Sequence, residues 1–405
     1  MAAKRILLLV DSDRYAFPLL RFLTHDAKLY KWKLKVGSVF DPHIADRLKQ
    51  ESFASGAEFI DLKKLPDCEQ AIKKTDLVIA LVQDALLLQI ADVCISQRKT
   101  LISPARLNRQ MALKKPAAKE NNVLILMDCG FSPGLDHIIA KKAIDNIHSR
   151  GGQVSSFKTF SGSLLSQTTD NNPWHFKLTE PAAEVLGWGK HNNRQLVKGR
   201  MQHIPCYRLF ERSEPIQVGS RSDIMTIPEG DSLYYRKIYD LVDAHTVAKG
   251  KLVRSGFDRV WNVLVRLGLT DGGSKIDFVG EASYLNLLDS LLPASHDTIE
   301  ERLMAYTGAS QEEVEKLRWL GLFDAATWKD FSRETPPVQI LQHLLETKFP
   351  MQPDDRDLVV MQHQLGYEFR DDHFQLTATL VLEGESEKES ALDRVIGFTS
   401  GAAAK

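Results

Sequence analysis

Paired cysteines, long apolar runs and an excess of one charge are all missing from these 405 residues. The four cysteines, Cys68, Cys94, Cys129 and Cys206, lie far apart, with no C-x-x-C pair and no Cys/His metal spacing. That excludes a disulfide framework and implies free thiols in a reducing, cytoplasmic compartment. No window approaches the apolar length of a membrane span. The short run Ile6–Val10 follows Lys4-Arg5 and precedes Asp11, so it reads as a first strand rather than a secretion signal. Net charge is -1, which removes the electrostatic footprint of a nucleic-acid or membrane partner. The twelve histidines form no H-E-x-x-H, and His363, inside an apolar run, reads as a core residue. What the chain does have is 43% hydrophobic residues and enough length for two or three cores.

The first 150 residues alternate short apolar runs with helical patterns. Strands are expected at Ile6–Val10, Leu34–Phe40, Glu58–Leu62, Leu77–Leu81, Thr100–Ile102 and Val123–Met127. Helices are expected at Phe17–Thr24, His43–Phe53, Asp84–Ser96 and Arg106–Glu120, with another beginning at Pro133. This order predicts an α/β fold with a doubly wound parallel sheet. Beyond Gly151-Gly152 the texture changes. Strands are expected at Val154–Gly162 and Thr246–Leu252, and an amphipathic helix at Asp258–Leu267 that buries Val260, Trp261, Val263, Leu264 and Leu267. From about Glu281 to Phe349 the chain reads as mostly helical. Ser310 and Glu313 have capping-box spacing, and Pro336-Pro337 precedes a last helix at Val338–Thr347. Asp357–Phe369 and Phe374–Leu382 read as a long hairpin, and Ser390 opens a final helix.

A doubly wound sheet holds nucleotides where the first strand ends, with backbone amides and the helix N-terminus meeting the pyrophosphate. The expected glycine turn is absent. Asp11-Ser12-Asp13-Arg14-Tyr15 stands in its place. An Asp within about 4 Å of a diphosphate charge repels it by about 4 kcal/mol at an effective dielectric near 20, and Arg14 offers a compensating phosphate partner. The other reading is that Asp11 or Asp13 caps the first helix. Asp41, after the second strand, either accepts from a ribose 2′-OH or caps the next helix. Gly130-Phe131-Ser132-Pro133-Gly134-Leu135-Asp136-His137 joins a strand to a helix. Asp136 and His137 are its acid/base candidates, against an ordinary turn in which Asp136 favours the helix dipole. Asn172 and Lys177 in a Pro-anchored aromatic loop, and Asp231-Ser232 further on, are substrate-binding candidates or surface loops.

Several of these segments resemble the glutamate-forming, NAD(P)-dependent saccharopine dehydrogenase family. Gly130–His137 resembles its G-L-D-P-G-I-D-H segment, and Asp170–Trp174 its loop before an aromatic-lysine pair. Arg356–His363 resembles its R-D-M-V-V-M-x-H strand. His245–Leu252 with Gly256-Phe257 is similar to its T-x-x-R-G-T-L-R-x-x-G-F. The resemblance runs in order from Lys4 to Lys405.

It implies a Rossmann-like doubly wound parallel sheet plus an α+β substrate domain with a mixed sheet and a small helical insertion. The expected domains are 1–130 with 388–405, then 131–280 with 351–387, and the insertion 281–350. It also implies further chain beyond Lys405. The function implied is hydride transfer, with NADP or NAD, at a C–N bond of a small amino-acid adduct in lysine metabolism, by a homodimer. Catalytic roles then fall to Asp136 and His137. Substrate binding falls to Asn172, Lys177, Asp231, Ser232 and Arg106, and cofactor binding to Ser12, Arg14, Tyr15, Asp41 and Gly130. The departures cluster at these sites. Aspartates replace the glycine turn, Ser132 replaces an Asp, Asp128 a Glu and Met127 an Asn. Ser161-Gly162-Ser163 replaces Cys-Gly-Gly. Arg106 stands for a Tyr, Gln83 for a Pro, and Glu229-Gly230 for the Asn-Arg of N-R-D-S, whose guanidinium would clamp a carboxylate. Such clustering also suits a catalytically inactive paralogue that serves as a binding or regulatory subunit.

Overall fold

The computed structural model describes residues 4–11, 15–39, 42–62, 64–273, 275, 282–326 and 335–405. The chain divides into two units, residues 1–140 with 389–405, and residues 141–388.

The first unit is built on β1 (Arg5–Val10), α1 (Ala16–Tyr30), β2 (Lys33–Val39), α2 (Pro42–Ser55), β3 (Glu58–Leu62), α3 (Leu65–Lys73), β4 (Leu77–Leu81), α4 (Asp84–Ser96), β5 (Thr100–Ile102), α5 (Arg109–Ala112), α6 (Lys115–Glu120) and β6 (Ile125–Leu126). The parallel sheet runs β3-β2-β1-β4-β5-β6. The strand order reverses between β1 and β4, the switch point at which such sheets bind ligands. Ile6–Val10 and Leu77–Leu81 are buried throughout, because helices cover both faces of a parallel sheet.

Two expected elements differ. The stretch expected as one helix over 106–120 is two short ones, because Pro116 sits in the first turn of α6, where a missing N–H costs nothing. Helix α3 was not expected: it buries only Cys68 and Ile72, too few for an apolar stripe. Its start is marked by Pro66 and by Asp67, which accepts from the Lys64 amide. Helix α7 (Leu135–Ser149) begins two residues after Pro133, not at it.

The second unit carries β7 (Gln153–Leu165), α8 (Ala182–Gly187), β8 (Asn193–Val197), β9 (Arg200–Ile204), β10 (Glu214–Val218), β11 (Arg221–Pro228), α9 (Leu233–Ile238) and β12 (Thr246–Arg254). Among the described residues five helices follow, α10 (Phe257–Arg266), α11 (Tyr284–Leu291), α12 (Ile299–Thr307), α13 (Gln311–Leu320) and α14 (Pro337–Lys348), then the hairpin β13 (Asp357–Phe369) and β14 (Asp372–Glu383). The mixed sheet runs β10-β11-β12-β7-β13-β14, with the β8–β9 hairpin branching from β12. Among the described strands of this sheet only β12 and β7 pair in parallel. The β13–β14 turn is Arg370-Asp371, both left-handed, as a two-residue turn between twisted strands requires. Helix α10 buries Val260, Trp261, Val263 and Leu264 as its periodicity predicts, against Trp174, Phe257 and Phe349. The Ser310–Glu313 capping box forms. His363 is a buried residue stacked on Phe157.

The chain then returns to the first unit as α15 (Ala391–Ala402). Gly397 and Gly401 let α15 lie directly on α1: a Cβ at Gly397 would stand 2.7 Å from the Leu19 amide nitrogen. Lys4 Nζ donates to the Ala404 carbonyl, and Lys405 pairs with Asp26. Among the described residues no helix is long and apolar enough to cross a membrane.

Candidate functional site

In the first unit the relevant residues gather where β1, β4, β5 and β6 end. Helix α1 starts at Tyr15, a left-handed N-cap with φ 65°. Its first turn holds no acid, and Tyr15 gives it no side-chain cap. A 15-residue helix with no acid in its first turn has an N-terminus whose partial positive charge suits an anion. Ser12, Asp13, Arg14 and Asp41 lie outside the described residues.

Asp11 has a partner that neither reading of the sequence named. Its amide continues the sheet by donating to the Leu81 carbonyl, and its carboxylate Oδ2 accepts from the Gln83 amide at 2.6 Å. Gln83 occupies the position where the resembled family has proline, which has no N–H to donate. The two departures are therefore one: an acid replaces glycine at the end of β1, and a residue with an N–H replaces proline at the start of α4. The described residues thus suit a dinucleotide on the α1 side and set a carboxylate at the switch point on the β4 side.

The loop after β6 folds around Asp136. Asp136 is 2% exposed. Oδ1 accepts from the Gly134 and His137 amides at 2.7 and 2.8 Å, and Oδ2 from the Ser132 hydroxyl at 2.8 Å. Gly134 adopts φ 141°, and a Cβ there would collide with Gly130 at 2.2 Å. Gly130 is thus a close backbone partner in the loop. Arg106, exposed, donates to the Ser132 carbonyl at 3.2 Å. Ser132 and Arg106, both departures, close this network together, since an Asp at 132 would set two carboxylates against each other. Asp128, left-handed at φ 60°, accepts from the Leu107 amide. His137 is half-buried in the first turn of α7.

In the second unit, Asn172 folds its own loop. Its Oδ1 accepts from the Trp174 amide and its Nδ2 donates to the Phe176 carbonyl. Trp174 is fully buried and donates to the Lys316 carbonyl. Lys177 forms an ion pair with Asp355, and both are buried. Ser232 is buried too; its hydroxyl accepts from the Lys249 amide at 2.9 Å. Asp231 is exposed and pairs with Arg194, whose pKa is raised chiefly by that hydrogen bond.

The residues that sequence reading passed over lie on one face of the mixed sheet. Parallel register sets Lys249 beside Thr159 and Lys251 beside Ser161. Lys249 stands 3.4 Å from Glu229, so the carboxylate that replaced an Asn is answered by a neighbouring ammonium. Lys251 meets both oxygens of Glu180 at 3.2 Å and lies 4.1 Å above the Trp188 ring. Ser163, two residues further on β7, is buried with a hydroxyl oxygen that has no hydrogen-bond partner among the described residues. The signal for this cluster was the K-G-K of β12: a period of two puts both lysines on one face. Two ammonium groups, an aromatic wall and an unsatisfied hydroxyl can hold carboxylates.

Thiol chemistry has no such support. Burial pushes Cys68 and Cys129 up to about 11 and Cys94 up to about 12, far from a reactive thiolate. Among the described residues no group of three or more His, Cys, Asp or Glu is placed to hold a metal ion.

A family model described as the saccharopine dehydrogenase C-terminal domain matches residues 130–405. The mouse mitochondrial alpha-aminoadipic semialdehyde synthase is 24% identical over 100% of this chain, but the match spans only 44% of that protein. The fission yeast saccharopine dehydrogenase, named NADP(+), L-glutamate-forming, is 24% identical over 88% of this chain and 82% of its own length. Among solved structures, the apo saccharopine dehydrogenase (L-Glu forming) of Saccharomyces cerevisiae aligns with a TM-score of 0.84, covering 99% of this chain and 90% of that one at 22% identity.

Proposed function

The chain belongs to the saccharopine dehydrogenase family, and from that premise we propose that it is an NAD(P)-linked oxidoreductase acting on the C–N bond of an amino-acid adduct. The observation that carries this reading is the pair of lysines on β12, Lys249 and Lys251, set beside Thr159 and Ser161. An adduct of two amino acids bears several carboxylates, and two ammonium groups paired with partly exposed acids offer them counter-charge. They restore the positive charge that the family's lost guanidinium would have supplied. The saccharopine-type substrate rests on the names of the relatives.

The cofactor, NADP or NAD, supplies hydride exchange at the C–N bond when bound. On this reading the amides at the start of α1, with Tyr15, Ser12, Arg14 and Gly130, would hold its diphosphate, and Asp41 would be the candidate acceptor for its ribose hydroxyl. Asp136 acts as a positioning residue: its three donors fix the loop that presents His137. His137 carries the proton released from nitrogen as the C–N bond is oxidised. Arg106 supports that loop through Ser132. Asn172 and Lys177 shape the aromatic loop, and Asp231 and Ser232 anchor the turn beside Lys249. Four cysteines with no disulfide support a cytoplasmic location; a homodimer completes the proposal by resemblance.

The test is a fluorescence titration with NADPH and NADH, on the chain and on Asp11→Asn. Asn keeps an acceptor for the Gln83 amide but removes the charge from the switch point. Micromolar binding by the chain, tightened about tenfold in Asp11→Asn, together with saccharopine-dependent reduction of NADP, is expected. A folded sample in which neither protein binds either nucleotide up to millimolar would overturn the proposal and favour the inactive-paralogue reading.

A further inference from the structure

The second unit has a cavity of about 420 Å³ that is lined by Lys249 of the proposed substrate pair but not by Lys251. It lies where the mixed sheet forks. Strand β12 pairs with β11 over Gly250–Arg254, but with β8 at Val247. The β8–β9 hairpin diverges from β11 there and leaves a hollow lined by both. The hollow is on the opposite sheet face from Lys251 and Ser161. Lys158 and Phe160 line it, three residues and one residue before Ser161 on β7, and Ala248 and Gly250 line it on β12. Alternation sends these to one face and Ser161 and Lys251 to the other. Gly250 helps to keep it open, since a Cβ there would press within 3.0 Å of Phe160.

Its polar lining is rich in donors. Lys158 is half-buried and Arg212 exposed, and among the described residues neither has a side-chain hydrogen bond or ion pair. Gln202 gives its oxygen to Gln195 at 2.9 Å, which leaves its amide nitrogen to donate. His203 stands beside it, and the one carboxylate in the lining is Glu214. Three cations, Lys158, Arg212 and the Glu229-paired Lys249, against one acid, over an aromatic floor, in a volume within the range of small-molecule sites, form a receptor for an anion. A cation held without a counter-charge favours a ligand that brings one.

We propose that this fork binds a small dianion, a dicarboxylate or a phosphate, at a site that shares Lys249 with the proposed substrate site but lies on the sheet face opposite Lys251 and Ser161. Lys158 and Arg212 meet its charges, Gln202 donates to it, and Phe160 packs against the carbon skeleton of a dicarboxylate. The site does not depend on the chain being an active dehydrogenase.

Isothermal titration of the full chain with glutarate and with inorganic phosphate tests it. Whichever anion binds more tightly identifies the source. The expected result is millimolar binding of at least one of them, weakened by added salt, and about tenfold or more weaker in Lys158→Ala/Arg212→Ala. Neither side chain has a partner to lose, so that variant should unfold at the same denaturant concentration as the parent. Lys251→Met should leave the binding unchanged. Absence of binding by both anions would overturn the proposal. So would binding lost in Lys251→Met but kept in the double variant, because that would put the anion on the substrate face.

Discussion

Lys177 and Lys251 belong to the same unit and each meets a carboxylate, yet the two pairs are built for different ends. Lys177 and Asp355 expose only 7% and 5% of their side chains, and Asp355 also takes the Gln352 amide. Lys251 and Glu180 remain 14% and 20% exposed, and the ammonium rests on the Trp188 ring. The first pair is closed: every charge is met inside the fold, and removing one partner strands the other. The second is open: water or a ligand can replace either partner. The first unit repeats the contrast. Asp136 is enclosed by three donors, whereas Asp76 holds Arg5 at the surface. A charged residue in a loop that resembles an active site is therefore not evidence of chemistry until its partners are counted.

The largest effect expected is from Lys177→Met. It leaves Asp355 buried without its cation, which costs about 3–5 kcal/mol, read as a lowered urea midpoint. Adding Asp355→Leu should recover most of that loss, because an apolar pair of similar volume replaces a buried ion pair with little net cost. If the single variant is as stable as the parent, the pair is not closed and the contrast fails.

Asp136→Ala comes next. It strands the Gly134 and His137 amides in a buried loop, at about 1–3 kcal/mol, measured by thermal unfolding. Asp136→Asn, which keeps one acceptor oxygen, should fall between. On the open side, Lys251→Met should change stability by less than about 1 kcal/mol while substrate affinity falls at least about tenfold. A large loss of stability there would place Lys251 with the closed pairs.

Local patterns carried most of the fold. Leu77–Leu81, Asp84–Ser96, Thr100–Ile102 and Asp357–Phe369 were legible from apolar runs and their punctuation, and each matches the structure. Strand β9 was not, because four of its five residues are exposed and no alternation shows. The site was less legible, for a different reason. Asp11 finds Gln83 72 residues away and Lys177 finds Asp355 178 residues away. Read one position at a time, the replaced glycine and the replaced proline look like separate losses. Only the folded sheet brings their hydrogen bond together. The acid at Glu229 likewise looked repulsive until β12 set Lys249 beside it.

The smallest effect tests the surface end of the same contrast. Asp76 accepts from the Arg5 side chain at 2.7 and 3.2 Å and from its amide at 2.9 Å. The Arg5 side-chain hydrogen bonds hold its carboxyl down at about 2, against 3.8 for an ordinary aspartate. A depressed carboxylate pKa stabilises the folded state above the unfolded value, and that contribution is lost as pH falls through the folded one. The window is therefore about pH 4 down to about pH 2. Both side chains are largely in water, 49% and 40% exposed, so solvent screening keeps the contribution small. Asp76→Asn should flatten the acid limb of the unfolding midpoint within that window and leave it unchanged near neutrality apart from a small constant offset. Salt should shrink the difference between parent and variant. A difference that grows above pH 5 instead would mean that Asp76 is coupled to the fold as tightly as Asp136.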